Sequence, residues 1–187
     1  MAEEKKRRGR RDHLNDFYRD VSGNYVYTGV CYEHTGGVRA NTALLRRLRL
    51  MAAVMAAAVL AGGCISAPGV GRCFYVLLPY AAQIGVTGSI VWAVARWQVR
   101  EYPLREYIYR ATVQALPGRC LAQAVLAGVG LAAETLYLLL SGSDGRGAAA
   151  AVYLLLQACV LVLALLARRT VLNSDWQPEG CGGLTTE

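Results

Sequence analysis

One carboxylate, Glu134, stands inside an otherwise bilayer-compatible run between Arg119 and Asp144, CLAQAVLAGVGLAAETLYLLLSGS. An unpaired carboxylate is too costly in hydrocarbon, so such a group needs hydrogen-bond partners, a counter-charge or a proton. Two chemistries follow. Glu134 either ties helices together through hydrogen bonds, or titrates as a proton or cation site. Glu134 lies about six residues from the outer end of its run, roughly 9 Å below that boundary at 1.5 Å per residue. The same arithmetic sets Tyr80 and Tyr153 near its level on other runs, with Gln83 and Gln157 somewhat deeper. Gln123, eleven residues earlier, shares a helix face with Glu134.

Other chemistry has little to build on. The apolar runs contain no His, no Asp and no paired carboxylates, so a convergent nucleophile, base and electrophile is not expected. No Walker motif or dinucleotide fingerprint occurs in a suitable context; SGSDGRG is a turn between apolar runs. His13, Cys31 and His34 are too few and too irregular for a closed zinc set. The sequence therefore predicts no enzyme, no metal and no cofactor.

The elements that must position Glu134 are set by segregation of charge. Hydrophobic residues make up 55% of the chain and mean hydropathy is +0.29, yet 20 Lys and Arg and 13 Asp and Glu are present. The charges gather at the N-terminus, in a central segment and at the C-terminus, leaving runs of about 20 apolar residues that match a bilayer core of roughly 30 Å. The expected fold is an all-α membrane protein of four transmembrane helices, about 48–67, 73–95, 120–140 and 148–167. These form two hairpins flanked by a basic, Tyr-rich N-terminal region (1–47) and a flexible tail (170–187). Pro103, Pro117 and Gly118 bracket an interfacial amphipathic helix at about 103–116, rich in arginine and tyrosine. Two small-residue stripes at four-residue spacing predict close helix packing: Ala53, Ala57 and Ala61, and Ala81, Gly85, Ser89 and Ala93.

Orientation follows from basic residues. Eighteen flank the termini and the central segment, against Arg72 and Arg146 alone in the two short connections, which places both termini in the cytoplasm. The net charge of +7 reads as attraction to anionic lipid headgroups rather than to nucleic acid. Apolarity begins only near residue 50, so the N-terminal tail is expected to be retained. Ala, Gly and Arg richness points to a bacterial plasma membrane.

Outside the membrane, Ser22-Gly23-Asn24 and the strand formers after them predict a short β-hairpin whose Tyr25, Tyr27 and Tyr32 make an aromatic, partner-binding face. A hairpin alone is marginal in water and must dock on the helices, the headgroups or a partner. The six cysteines form no CxxC pair; Cys64 and Cys73 bracket a short connection and are the pair placed for a bridge. The function class expected is a non-enzymatic accessory, scaffold or interaction subunit, with a homo-oligomer or another membrane protein as partner. The alternative is a small oligomeric transporter or channel built on Glu134.

Overall fold

A computed structural model describes residues 17–19, 25–27, 29–65, 67–99, 102–142 and 145–180. The chain is mostly helical. In order it runs β1 (Phe17–Arg19), β2 (Tyr25–Tyr27), β3 (Val30–His34), α1 (Gly37–Cys64), α2 (Phe74–Gln98), β4 (Leu104–Arg105), α3 (Glu106–Tyr109), a π-helical turn (Arg110–Gln114), α4 (Leu116–Ser141), α5 (Gly147–Leu172) and β5 (Trp176–Gly180).

The four long helices pack in the cyclic order α1, α2, α4, α5, each against two neighbours. Every helix buries one stripe at three- or four-residue spacing, as Leu44, Leu48, Ala52, Met55, Val59 and Gly62 do on α1. The opposite faces are apolar as well: Leu60, Phe74, Leu78, Trp92, Leu139 and Leu155 are exposed. That much outward apolar surface is foreign to a soluble monomer. Three helical segments are long and apolar enough to cross a membrane: Phe74–Gln98, Glu106–Ser141 and Gly147–Leu172. Helix α1 is 28 residues long but differs in kind. Its first half holds Arg39, Arg46, Arg47 and Arg49, and good helix formers carry the helix through them. Its charge-free part, residues 50–64, reaches only about 22 Å at 1.5 Å per residue. The helix therefore begins about eleven residues earlier than the hydropathy pattern indicates.

The central segment departs from expectation. No separate interfacial helix closes at Pro117; α3 and the π turn run through Ala115 into α4 as one segment, Glu106–Ser141. Pro117 falls in the first turn of α4, where its missing N–H leaves no helical bond unmade. The π turn just before it absorbs the change in register, with the Ala115 N–H donating to the Thr112 carbonyl. Arg119 then braces the join, its guanidinium donating to the Ser89 carbonyl at 2.9 Å and to the Ala111 carbonyl at 3.5 Å.

At one end of the helices lies a three-stranded antiparallel sheet in the order β4-β3-β5. Cys31 and Tyr32 face Arg105 and Leu104 on one side; Val30 to His34 face Gly180 to Trp176 on the other. The expected short hairpin is present as the antiparallel β1–β2 pair, Phe17 opposite Tyr27 and Arg19 opposite Tyr25, but Tyr32 is not part of it, because β3 takes its partners from distant parts of the chain. The turn at Ser22–Asn24, the basic cluster at residues 5–11 and the final tail lie outside the described residues. The cysteine expectation is also corrected. Cys64 and Cys73 carry free thiols, whereas the buried Cys31 of β3 is disulfide-bonded. The connection between Cys64 and Cys73 folds inward and buries Ala67, Pro68 and Gly69.

Candidate functional site: a buried polar core

The inward stripe of α4 carries Gln123, Ala127, Gly130, Glu134 and Tyr137, spaced to keep one face toward the bundle centre. Glu134 is fully buried. Its Oε1 accepts a hydrogen bond from the Gly69 backbone N–H at 3.3 Å. Gly69 belongs to the connection between α1 and α2, where Ala67, Pro68 and Gly69 are all buried. The Gly69 carbonyl accepts in turn from the Arg72 and Cys73 N–H groups, at 3.2 and 2.9 Å. The connection thus folds over the carboxyl as a lid. A Cβ at position 69 would collide with Glu134 Oε2, so any larger residue there would make the carboxyl shift. That oxygen has no hydrogen-bond partner among the described residues.

Deeper in the bundle, Gln83 of α2 and Gln157 of α5 meet across the diagonal. Gln83 Nε2 donates to Gln157 Oε1 at 2.8 Å and Gln157 Nε2 donates back to Gln83 Oε1 at 3.1 Å. Gln157 Nε2 also donates to the Tyr153 hydroxyl at 2.9 Å. Gly130 of α4 makes room for this pair: a Cβ there would already touch the Gln157 amide at 3.6 Å. Closer to the sheet end, Gln123 Nε2 donates to the Thr87 hydroxyl at 2.9 Å, leaving Gln123 Oε1 without a partner among the described residues. Tyr80 turns to α1 and donates to the Val59 carbonyl at 3.0 Å, beside Gly63, whose missing Cβ leaves space for the hydroxyl.

All five residues expected in the membrane interior, Glu134, Tyr80, Tyr153, Gln157 and Gln83, are buried. The structure brings Gln83, Gln157 and Tyr153 into one network. It gives Glu134 a backbone partner rather than a tyrosine, and gives Tyr80 to α1. Gly69 and Thr87 were missed. The Pro-Gly pair at 68–69 signals a turn but not that the turn folds inward, and a lone threonine in an apolar run carries no signal of its partner.

The small-residue stripes do not pack inside the chain as expected. Ala53, Ala57 and Ala61 are exposed, as are Ala81 and Gly85; Ser89 is half-buried and only Ala93 is buried. Larger side chains on the opposite faces, Met55 of α1 and Tyr80, Ile90 and Trp97 of α2, fill the interior instead.

The sheet is clasped to the helices by aromatic rings. Tyr32 stacks on Tyr109 with centroids 4.1 Å apart, so this tyrosine is engaged within the chain. Trp176 of β5 meets Trp97, Tyr109 and His34 at 5.6, 5.4 and 5.4 Å. Tyr25 and Tyr27 lie in β2, in the other sheet. The Tyr102 hydroxyl accepts from the His34 N–H at 3.0 Å. Burial pushes Tyr102 up and the nearby Glu33 carboxylate adds to this, against the lowering pull of the His34 N–H. On the outer sheet face Glu179 is held above the usual carboxylate range by its hydrogen bond with Glu33 and the charge it carries.

No group of three or more His, Cys, Asp or Glu that could hold a metal ion occurs among the described residues. The chain matches no family model, no curated protein and no solved structure.

Proposed function

We propose that this chain is a non-enzymatic integral membrane protein, an accessory or scaffold subunit. In this reading its four long helices cross the bilayer as two hairpins and its sheet stands with both termini on the cytoplasmic side of a bacterial plasma membrane. The observation that supports it best is the use made of the interior polar groups. Gln83, Gln157, Tyr80 and Glu134 all bond to neighbouring elements of the same chain, and Tyr153 accepts from Gln157 within α5. Polar contacts of this kind join helices where the hydrophobic effect offers no drive between them. The Tyr-rich segment around Tyr25 and Tyr27 is then the surface for a membrane-protein partner or a second copy.

One observation favours a second reading, a small oligomeric transporter or channel: Glu134 Oε2 is buried with no partner among the described residues. That oxygen is an acceptor available to a proton or a cation. Glu134→Gln separates the two readings, because the amide keeps an oxygen for the Gly69 N–H and removes the titrating group. A scaffold keeps its unfolding temperature and its co-purifying proteins in mild detergent. A transporter keeps its fold while proton or cation flux into proteoliposomes disappears.

A further inference from the structure

The sheet end of the α1–α5 pair holds a groove of about 570 Å³ with an unusual lining. Arg47 of α1 and Arg169 of α5 stand on its two banks, Leu44 and Leu166 form its apolar side, and Thr170 and Asn173 its polar side. Both arginines are exposed, neither is ion-paired within the described residues, and no carboxylate lines the groove. His34 closes one end. Its Nδ1 accepts from the Gly36 N–H at 3.0 Å, which leaves Nε2 as the nitrogen that bears hydrogen. A second cavity of about 600 Å³ shares Ala43 and Arg47 with it and runs along α1 from Arg39 past Arg46 to the exposed Leu50. Cationic donors and apolar wall are therefore ordered along one furrow, donors toward the sheet and Leu166 and Leu50 toward the helix middles.

We infer that this furrow binds the headgroup of an anionic phospholipid. The phosphate would lie between the Arg47 and Arg169 guanidiniums, with an acyl chain along the exposed apolar faces of α1 and α5. Guanidinium forks match phosphate oxygens bidentately. Basic recesses between helices at a membrane face are suited to acidic lipid headgroups. The amphiphilic lining is what separates this occupant from a free anion, which needs no apolar wall. The inference rests on the membrane reading of the chain, and it is independent of whether the protein is a scaffold or a transporter.

The test uses the full chain purified in mild detergent, with phosphatidylglycerol, phosphatidylcholine or inorganic phosphate added. Bound lipid is counted by intact-complex mass spectrometry and unfolding temperature is followed in parallel. Phosphatidylglycerol should be retained and raise the unfolding temperature. Arg47→Gln/Arg169→Gln should weaken its retention about thirtyfold, taking roughly 1 kcal/mol per basic residue near an acidic lipid surface. Arg47→Lys/Arg169→Lys, and Arg146→Gln at the far end of α5, should keep most of it. If the double glutamine variant does not fold, each single variant should lose about fivefold. Equal retention by the glutamine variants, or equal retention of phosphatidylcholine, would overturn the site. Inorganic phosphate reproducing the shift would assign the groove to a free anion instead. Failure of the membrane reading itself is read separately, as release of the wild-type chain from membranes by alkaline carbonate.

Discussion

A buried side-chain amide is stable only while its partner is present, and the Gln83–Gln157 pair turns this into a prediction. Each amide both donates to and accepts from the other. Gln83→Leu should destabilise the helix bundle by about 1 kcal/mol, because it strands the Gln157 amide in an apolar interior. Gln83→Leu/Gln157→Leu should recover most of that loss, since no polar group is left unpaired except the Tyr153 hydroxyl. Unfolding in detergent of the two single variants and the double variant measures the coupling; simple additivity would mean the amides do not depend on each other. These residues were legible in the sequence as polar groups in apolar runs. Their pairing was not, because depth arithmetic gives height along a helix and says nothing of rotation about its axis.

At the scale of elements, the β3–β5 ladder carries a built-in pH response. Glu33 and Glu179 are diagonal neighbours, since Cys31 faces Glu179 and Glu33 faces Gln177. Their shared hydrogen bond and mutual repulsion raise the Glu179 carboxyl above its ordinary range, so the folded sheet holds a proton more tightly than the unfolded chain. The sign follows from linkage: this contribution is fully present below the unfolded carboxyl value and is lost as pH rises through the raised folded value. Hydrogen exchange of the β5 amides should therefore quicken, beyond the intrinsic rate, as pH rises through that window. Glu179→Gln should flatten the dependence and hold the strand more firmly at neutral pH. The small-residue stripes teach a related lesson about elements. Spacing marked Ala53, Ala57 and Ala61 as a smooth face, and they do form one, but it faces outward. Four-residue periodicity identifies a helix face without saying which face the bundle buries.

For the whole molecule, the testable quantity is orientation. If the arginine-rich sheet end faces the cytoplasm, Cys64 and Cys73 lie at the outer face. Cys64 has a free, exposed thiol at the end of α1. A membrane-impermeant maleimide added to intact cells should label the chain, and Cys64→Ser should lose most of that label. Labelling only after the membrane is opened would invert the topology and with it the side on which the furrow at Arg47 and Arg169 meets lipid. The two ends of the molecule also differ in construction. The far end is closed by backbone, the 67–69 segment over Glu134, whereas the sheet end is closed by rings, Trp176 among Trp97, Tyr109 and His34.

The sequence by itself determined the class of the molecule: uninterrupted apolar runs can be buried only in hydrocarbon or in each other, and charge had to collect at their ends. It also determined that Glu134 and the buried glutamines and tyrosines must find partners, since polar groups in such runs have no water to turn to. Only the tertiary structure decided which partners. It assigned Glu134 to the Gly69 N–H, set Tyr32 against Tyr109, joined β3 to strands more than seventy residues away and carried the helix at Glu106 through Pro117 into α4. Each of these depends on how helices rotate and how connections fold inward. Those choices are settled by packing between distant segments, and no local stretch of the chain encodes them.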